Sequence, residues 1–202
     1  DYHSGANEFH GNGGPWRVDK QRLKWKVLDV FRLAALQAGI PAVDDFNRGD
    51  NFGSSYFDVT QKNGWRLNAS KAFLNPIKSR KNLIVLTNAL VDHLVMDGKS
   101  CSGVKFKHAG HTFLAKVSKE TLLSAGAIGS VQILERSGIG NAEYLKSIGI
   151  RVAHDLPGVG ENLQDHLQIR MVYKINRLKT LNTIASNWWG KLLIGRSEEH
   201  TS

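Results

Sequence analysis

Ser124, Ala125 and Gly126 are the residues in this chain with the clearest chemical use. They close an apolar run at 121–124 and lead into a helix-periodic stretch at 127–136. Small side chains at such a bend let main chain approach a ligand closely, and a helix start offers free amides and the positive end of a dipole. That suits a dinucleotide or a flavin; a close crossing of helix and strand accounts for the same letters equally well. Next comes Ser137-Gly138-Ile139-Gly140, which lacks both a full GxGxxG and a Lys-Ser/Thr pair, so capping the helix is its better use. The stretch 156–166 crowds Glu161, Asn162, Gln164, Asp165 and His166 behind two glycines, as a hydrogen-bonding knot near something polar would. His166 is read as a supporting or capping histidine ahead of an acid–base group. His108 and His111 have half a metal site's spacing but no third ligand nearby, and are read as a solvated turn. Cys101 has no activating histidine and is read as a structural thiol.

The elements that would hold these groups follow from periodicity. Leu23, Val27, Phe31, Ala34, Ala35 and Ala38 recur at helical spacing, predicting a helix over 20–38 that ends at Gly39 and Pro41. A short helix is expected at 69–74, before Pro76. Strands are expected at 83–86 and 89–96, then at 102–107 and 112–117. Asp97-Gly98 and residues 108–110 supply the turns of this meander. A strand at 121–124 leads into the helix at 127–136, and a second helix at 142–148 is stopped by Gly149. Residues 150–153 read as extended, and 168–175 alternate like a further strand.

Composition narrows the class. The 202 residues are 41% hydrophobic and 22% charged, with four prolines and 20 glycines, which excludes wholesale disorder and collagen-like repeats. One cysteine excludes an intrachain disulfide framework and a cysteine-built zinc site. No apolar run approaches the ~20 residues that span a bilayer. The +9 formal charge includes two basic stretches, Lys20, Arg22, Lys24, Lys26 and Lys78, Arg80, Lys81. These read as a solvated helix face and a basic loop, since neither carries the aromatic platforms of a nucleic-acid binder. Asp1 stands first, and the loop-like opening 1–14 has no hydrophobic stretch that could serve as a signal peptide. Residues 196–202 look like a translated sequencing adapter, so the chain is expected to be an internal fragment with a non-native tail.

Three stretches, in order, strongly resemble the glucose–methanol–choline (GMC) oxidoreductases, which use FAD. They are 59–64 with 72–74, then 124–134 through 137–140, then 155–166. His10-Gly11 with Gly14-Pro15 also resembles the family's histidine-glycine loop. The likeness runs from His10 to about Ile175 and looks nearest to choline- or alcohol-dehydrogenase-like members. Val131 stands where the family signature usually has proline, and Glu135-Arg136 replaces what is often an apolar pair.

The resemblance implies a mixed α/β chain. It would be an incomplete Rossmann-like FAD-binding domain with an antiparallel meander, plus part of a substrate-binding domain. The implied division is substrate-domain portion and connections at 1–75, FAD-binding portion at 76–167, a second substrate-domain segment at 168–195 and the foreign tail at 196–202. Val91 falls where the family meets the adenine end of FAD through its backbone. Ser124, Ala125 and Gly126 match the turn near the flavin, and Asn162 and Asp165 lie in a loop that closes around FAD. The family's N-terminal βαβ unit and its C-terminal catalytic histidine have no counterpart here, so no catalytic residue and no metal ligand is assigned. The implied parent enzyme takes a hydroxyl proton from an alcohol, choline-like or otherwise primary, and passes hydride to flavin. The fragment itself is expected to be inactive and to bind FAD weakly. Partners are expected to be a small alcohol and an unassigned electron acceptor, with no nucleic acid and no transmembrane segment. Cellular location stays open between cytoplasm and a membrane periphery. A basic module for an acidic partner or nucleic acid is the rival reading, distinguished by steep salt dependence. A flavin- or nicotinamide-dependent disulfide reductase is excluded by the lone cysteine. Trp188-Trp189 reads as a packing pair left uncovered rather than a membrane anchor.

Overall fold

The computed structural model describes residues 1–22, 24–186 and 188–191. Leu23, the last residues of the 168–195 segment and the suspected tail with His200 lie outside the described residues. The chain divides into two units, one comprising Asp1–Leu83 with the chain from Met171 onward, the other Ile84–Arg170.

In the first unit, β1 (Asp19–Lys20) pairs antiparallel with β2 (Asp58–Val59), and β3 (Gln61–Lys62) with β4 (Trp65–Arg66). The second pair turns at Asn63-Gly64, both at positive φ, as a tight hairpin requires. Helix α1 runs Lys26–Gln37. It ends as expected at Gly39, at φ +85, where Ile40 N–H reaches back to the Ala35 carbonyl at 2.9 Å. It starts six residues later than the periodicity predicts, because Asp19 and Lys20 are drawn into a sheet pair with residues some forty positions away. Non-local pairing has overridden local helix preference there. Residues 70–74 make a single π-helical turn, Ser70–Leu74. The opening stretch is tied down by Tyr2, whose hydroxyl donates to Asp58 at 2.7 Å and whose ring stacks on His10 at 3.8 Å. His10 Nε2 meets Asp45 at 2.6 Å.

The second unit is built on the expected meander. Strands β5 (Leu90–Asp97), β6 (Ser100–His108) and β7 (His111–Lys116) lie in that order, all antiparallel. His108 and His111 close the second hairpin as a directly opposed pair. Helix α2 (Gly126–Arg136) follows, then α3 (Ala142–Ser147). Asn141 caps α3 by accepting from Glu143 and Tyr144 N–H, both at 3.0 Å. Leu145 of α3 is fully buried. A short parallel pair, β8 (Ile139–Gly140) with β9 (His154–Asp155), ties the end of α2 to the chain beyond α3.

Three expected strands do not form. Residues 83–86, 121–124 and 168–175 have no strand assignment. Their apolar side chains are turned to solvent: Ile84 is 82% exposed, Leu122 81% and Val172 95%. Branched and aromatic residues fit a pleated sheet only when a neighbouring strand takes up their backbone groups, and among the described residues these runs have no such neighbour. No helix among the described residues is long and apolar enough to cross a membrane.

Candidate functional site

Helix α2 organises the residues that sequence singles out in the second unit. Its first residue, Gly126, sits at φ +81, and a Cβ built there would meet no atom within 4 Å. The preceding Ala125 gives the helix no side-chain cap, so its leading amides are left to water or a ligand. Ala125 N–H itself is taken by the Ser130 hydroxyl at 3.1 Å. The bend is therefore open, although the strand expected before it is absent.

Halfway along α2, the turn at 156–161 comes alongside. A Cβ on Gly160, itself at φ +85, would lie 3.4 Å from Val131 and 3.3 Å from Glu135. Asn162 follows at φ +56, and both it and Asp165 are exposed. The polar knot expected at 161–166 does not form. Glu161 N–H returns to the Gly158 carbonyl at 3.3 Å, and His166 N–H is accepted by Asp165 at 2.7 Å. His166 is exposed and caps no helix. Glycine-rich backbone, not a side-chain network, shapes this turn.

At its C-terminal end α2 grips β5. Arg136 pairs with Asp92, and Asp92 also accepts from His93 Nδ1 at 3.1 Å. The Ser137 hydroxyl accepts from Leu94 N–H at 2.8 Å and donates to the Ile133 carbonyl at 2.5 Å. The ladder slips at this point, since Val91 lies opposite Phe106 but His93 lies opposite Lys105, leaving Asp92 as a bulge. Leu94 N–H turns away from β6, so its opposite residue Val104 turns its own main-chain groups toward β7. Two residues along the unbroken β6–β7 ladder, Phe106 does the same. Its partner Val91 then presents N–H and C=O to the outer edge of β5, by the alternation of antiparallel pairs.

Ser137 and Gly138 thus do what sequence suggested for a helix end, and Arg136, Asp92 and Ser137 are residues that sequence reasoning missed as a group. The one available signal was Glu135-Arg136 standing where an apolar pair is usual. Burial alone would raise the Asp92 pKa, but Arg136, the His93 hydrogen bond and charge, and Lys105 outweigh it and hold the carboxyl below its ordinary value. An unfolded Asp titrates near ~3.9. The ion pair therefore contributes in full above that pH and is lost as pH falls through the lower folded value. The Asp92 carboxyl carbon, followed by NMR, should titrate at lower pH than an unperturbed Asp and return toward it in Arg136→Met. An ordinary midpoint in the wild type would remove the pair from solution.

Other groups set aside by sequence keep plain surroundings. Cys101 Sγ contacts the Gly103 carbonyl and the Thr121 hydroxyl, both at 3.4 Å. Among the described residues no three His, Cys, Asp or Glu groups gather as a metal site. In the first unit, Lys20, Lys24 and Arg32 line a cleft together with Asp29, Asp44 and Asp58, so its charge is mixed rather than uniformly basic. Trp188 and Trp189 meet edge to face at 5.1 Å and are both largely exposed.

Comparison with known proteins covers the stretch that holds these residues. The profile of GMC oxidoreductases matches residues 13–168. An oxygen-dependent choline dehydrogenase of Pectobacterium atrosepticum is 41% identical over 194 residues, covering 95% of this chain and 34% of that protein. One from Paraburkholderia xenovorans is 38% identical over the same length. Among solved structures, an FAD-dependent oxidoreductase from Chaetomium thermophilum superposes with a TM-score of 0.84 at 27% identity, over 98% of this chain and 36% of that one. A pyridoxine 4-oxidase from Mesorbium loti superposes with a TM-score of 0.76 at 29% identity, over 82% of this chain and 33% of that one. The chain spans about a third of the length of the curated relatives it matches.

Proposed function

Because the chain belongs to the GMC oxidoreductase family, we propose that it is the cofactor-cradling part of an FAD-dependent enzyme that oxidises an alcohol, a CH–OH donor of choline-like or other primary type. The observation that carries this reading is Gly126: left-handed backbone, no atom where a side chain would stand, and an uncapped helix start directly behind it. That is a cradle a Cβ would fill, and it fits a flat, anionic cofactor.

In this reading Ser124, Ala125 and Gly126 lie against the flavin end, and Asn162 and Asp165 belong to the loop that closes over the cofactor. The main chain of Val91 takes an adenine edge, which asks for one donor and one acceptor side by side. FAD, when bound, supplies a hydride acceptor. The chain's own residues supply position: α2 sets the bend at one end and β5 at the other, about 15 Å apart along the helix axis. None of the histidines among the described residues is assigned as the base. His3, His10 and His93 each sit beside a carboxylate. The domain assignment is part of the same proposal. Residues 76–167 make the FAD side, and 1–75 with 168–195 belong to the substrate side that shapes the alcohol's pocket.

The test is titration of the isotope-labelled chain with FAD, with its halves AMP and FMN as separate ligands. Expected are weak, saturable shifts of the Val91, Gly126 and Asn162 amides, without flavin retained through purification and without turnover of choline. Shifts absent from these amides, or confined to the first unit, would refute the reading. Flavin co-purifying in stoichiometric amount would refute the weakness.

A further inference from the structure

We infer that Arg136, through Asp92, is a positioning residue for the adenine half of the cofactor; this rests on the FAD reading above. The argument begins with the bulge. An antiparallel strand alternates its main-chain groups between its two neighbours, and an extra residue resets which residues face which side. In β5 the extra residue is Asp92. With it in place, Val91 and Leu94 both face the outer edge although they are three positions apart, an odd number that regular alternation would put on opposite sides. Leu94 spends its outward N–H on Ser137. Val91 keeps its pair for a ligand.

A bulge is a local irregularity that needs something to fix it. Asp92 is held by Arg136 on one carboxylate oxygen and by His93 on the other. Arg136 is the last residue of α2, and Ser137, which follows it, anchors Leu94. Two consecutive residues at one helix end therefore grip β5 on either side of His93. The helix that opens at the Gly126 cradle ends by fixing the register of the strand carrying Val91. Arg136 does not itself meet the cofactor. Its effect is to keep the Val91 edge presented at a set distance from the far end of the same helix.

The experiment compares the wild-type chain with Arg136→Met, Asp92→Asn and Arg136→Lys, each titrated with AMP and separately with FMN, in low and high salt. The pair is exposed and solvent-screened, so the expected rise in the AMP dissociation constant is modest, about fivefold for Arg136→Met and Asp92→Asn. FMN affinity should be unchanged. Arg136→Lys should restore most AMP affinity, and the wild-type advantage should shrink in high salt. A general loss of structure would weaken both halves together, so parallel losses overturn the assignment. Equal AMP affinity in wild type and Arg136→Met also overturns it while leaving the FAD reading intact. If the wild-type chain binds neither half, the FAD reading fails and the inference fails with it.

Discussion

Replacing Gly138 with alanine should unfold the second unit. Gly138 follows α2 at φ +81. A Cβ there would stand 2.3 Å from the Arg151 carbonyl oxygen and 2.9 Å from Ala153 N. Both are backbone atoms, which cannot swing aside as a side-chain end can. The left-handed conformation alone costs an L-residue about 1–2 kcal/mol. Relieving the clash means moving residues 151–153. Ala153 in that segment and His154 just after it both donate to the Gly138 carbonyl, at 2.8 and 3.0 Å, and each such bond contributes roughly 0.5–1.5 kcal/mol. The same movement pulls β9 from β8 and loosens the chain around Leu145. The total, about 2–5 kcal/mol, is large for a unit whose buried apolar side chains, among the described residues, are Leu94 and Leu145. The expected record is a collapsed NMR dispersion or a strongly lowered melting midpoint for this unit. Gly149→Ala is the control, since Gly149 lies in the same unit and shares the positive φ but faces open space. An unchanged melting curve for Gly138→Ala would mean that the 151–153 segment is not where it is described.

The second large effect separates shape from stability. Gly126 has the same φ as Gly138, yet its Cβ position is empty. Gly126→Ala should therefore cost only the left-handed strain, about 1–2 kcal/mol, and leave α2 and the meander folded. What it removes is the approach of main chain to a flat ligand. FMN affinity should fall about tenfold or more, because a methyl group holding a ring one carbon radius further out forfeits much of its contact energy. AMP affinity should hold. Equal FMN affinity in Gly126→Ala and wild type would show that nothing lies against this bend.

Much of this was legible in the letters, for a reason that particular residues make plain. The β5–β6–β7 meander, the end of α1 at Gly39 and the glycine cap after α2 are specified locally, by turn residues and periodicity within a few positions. The runs 83–86, 121–124 and 168–175 carry equally good local preference and still form no strand. A strand is a relation between two segments, and their letters do not say whether the second is at hand. The false start of α1 has the same origin, since Asp19 and Lys20 answer to Asp58 and Val59. Nor could the letters give the β5 bulge. Asp92 and Arg136 are 44 residues apart, and only folding shows that the charged residue at the end of α2 answers a carboxylate in a strand. Of the residues expected around a cofactor, Gly126 stands open as its sequence context suggested. Asn162 and Asp165 lie exposed beyond the turn at 156–161 rather than in a polar knot.

The bare aliphatic runs at Ile84–Leu86 and Leu122, with Ile169, Met171 and Val172 further on, have a practical consequence at the bench. Extended apolar stretches with unsatisfied edges recruit one another. A concentrated stock of this polypeptide should cloud on standing, and mild detergent or a highly charged fusion partner is the natural remedy.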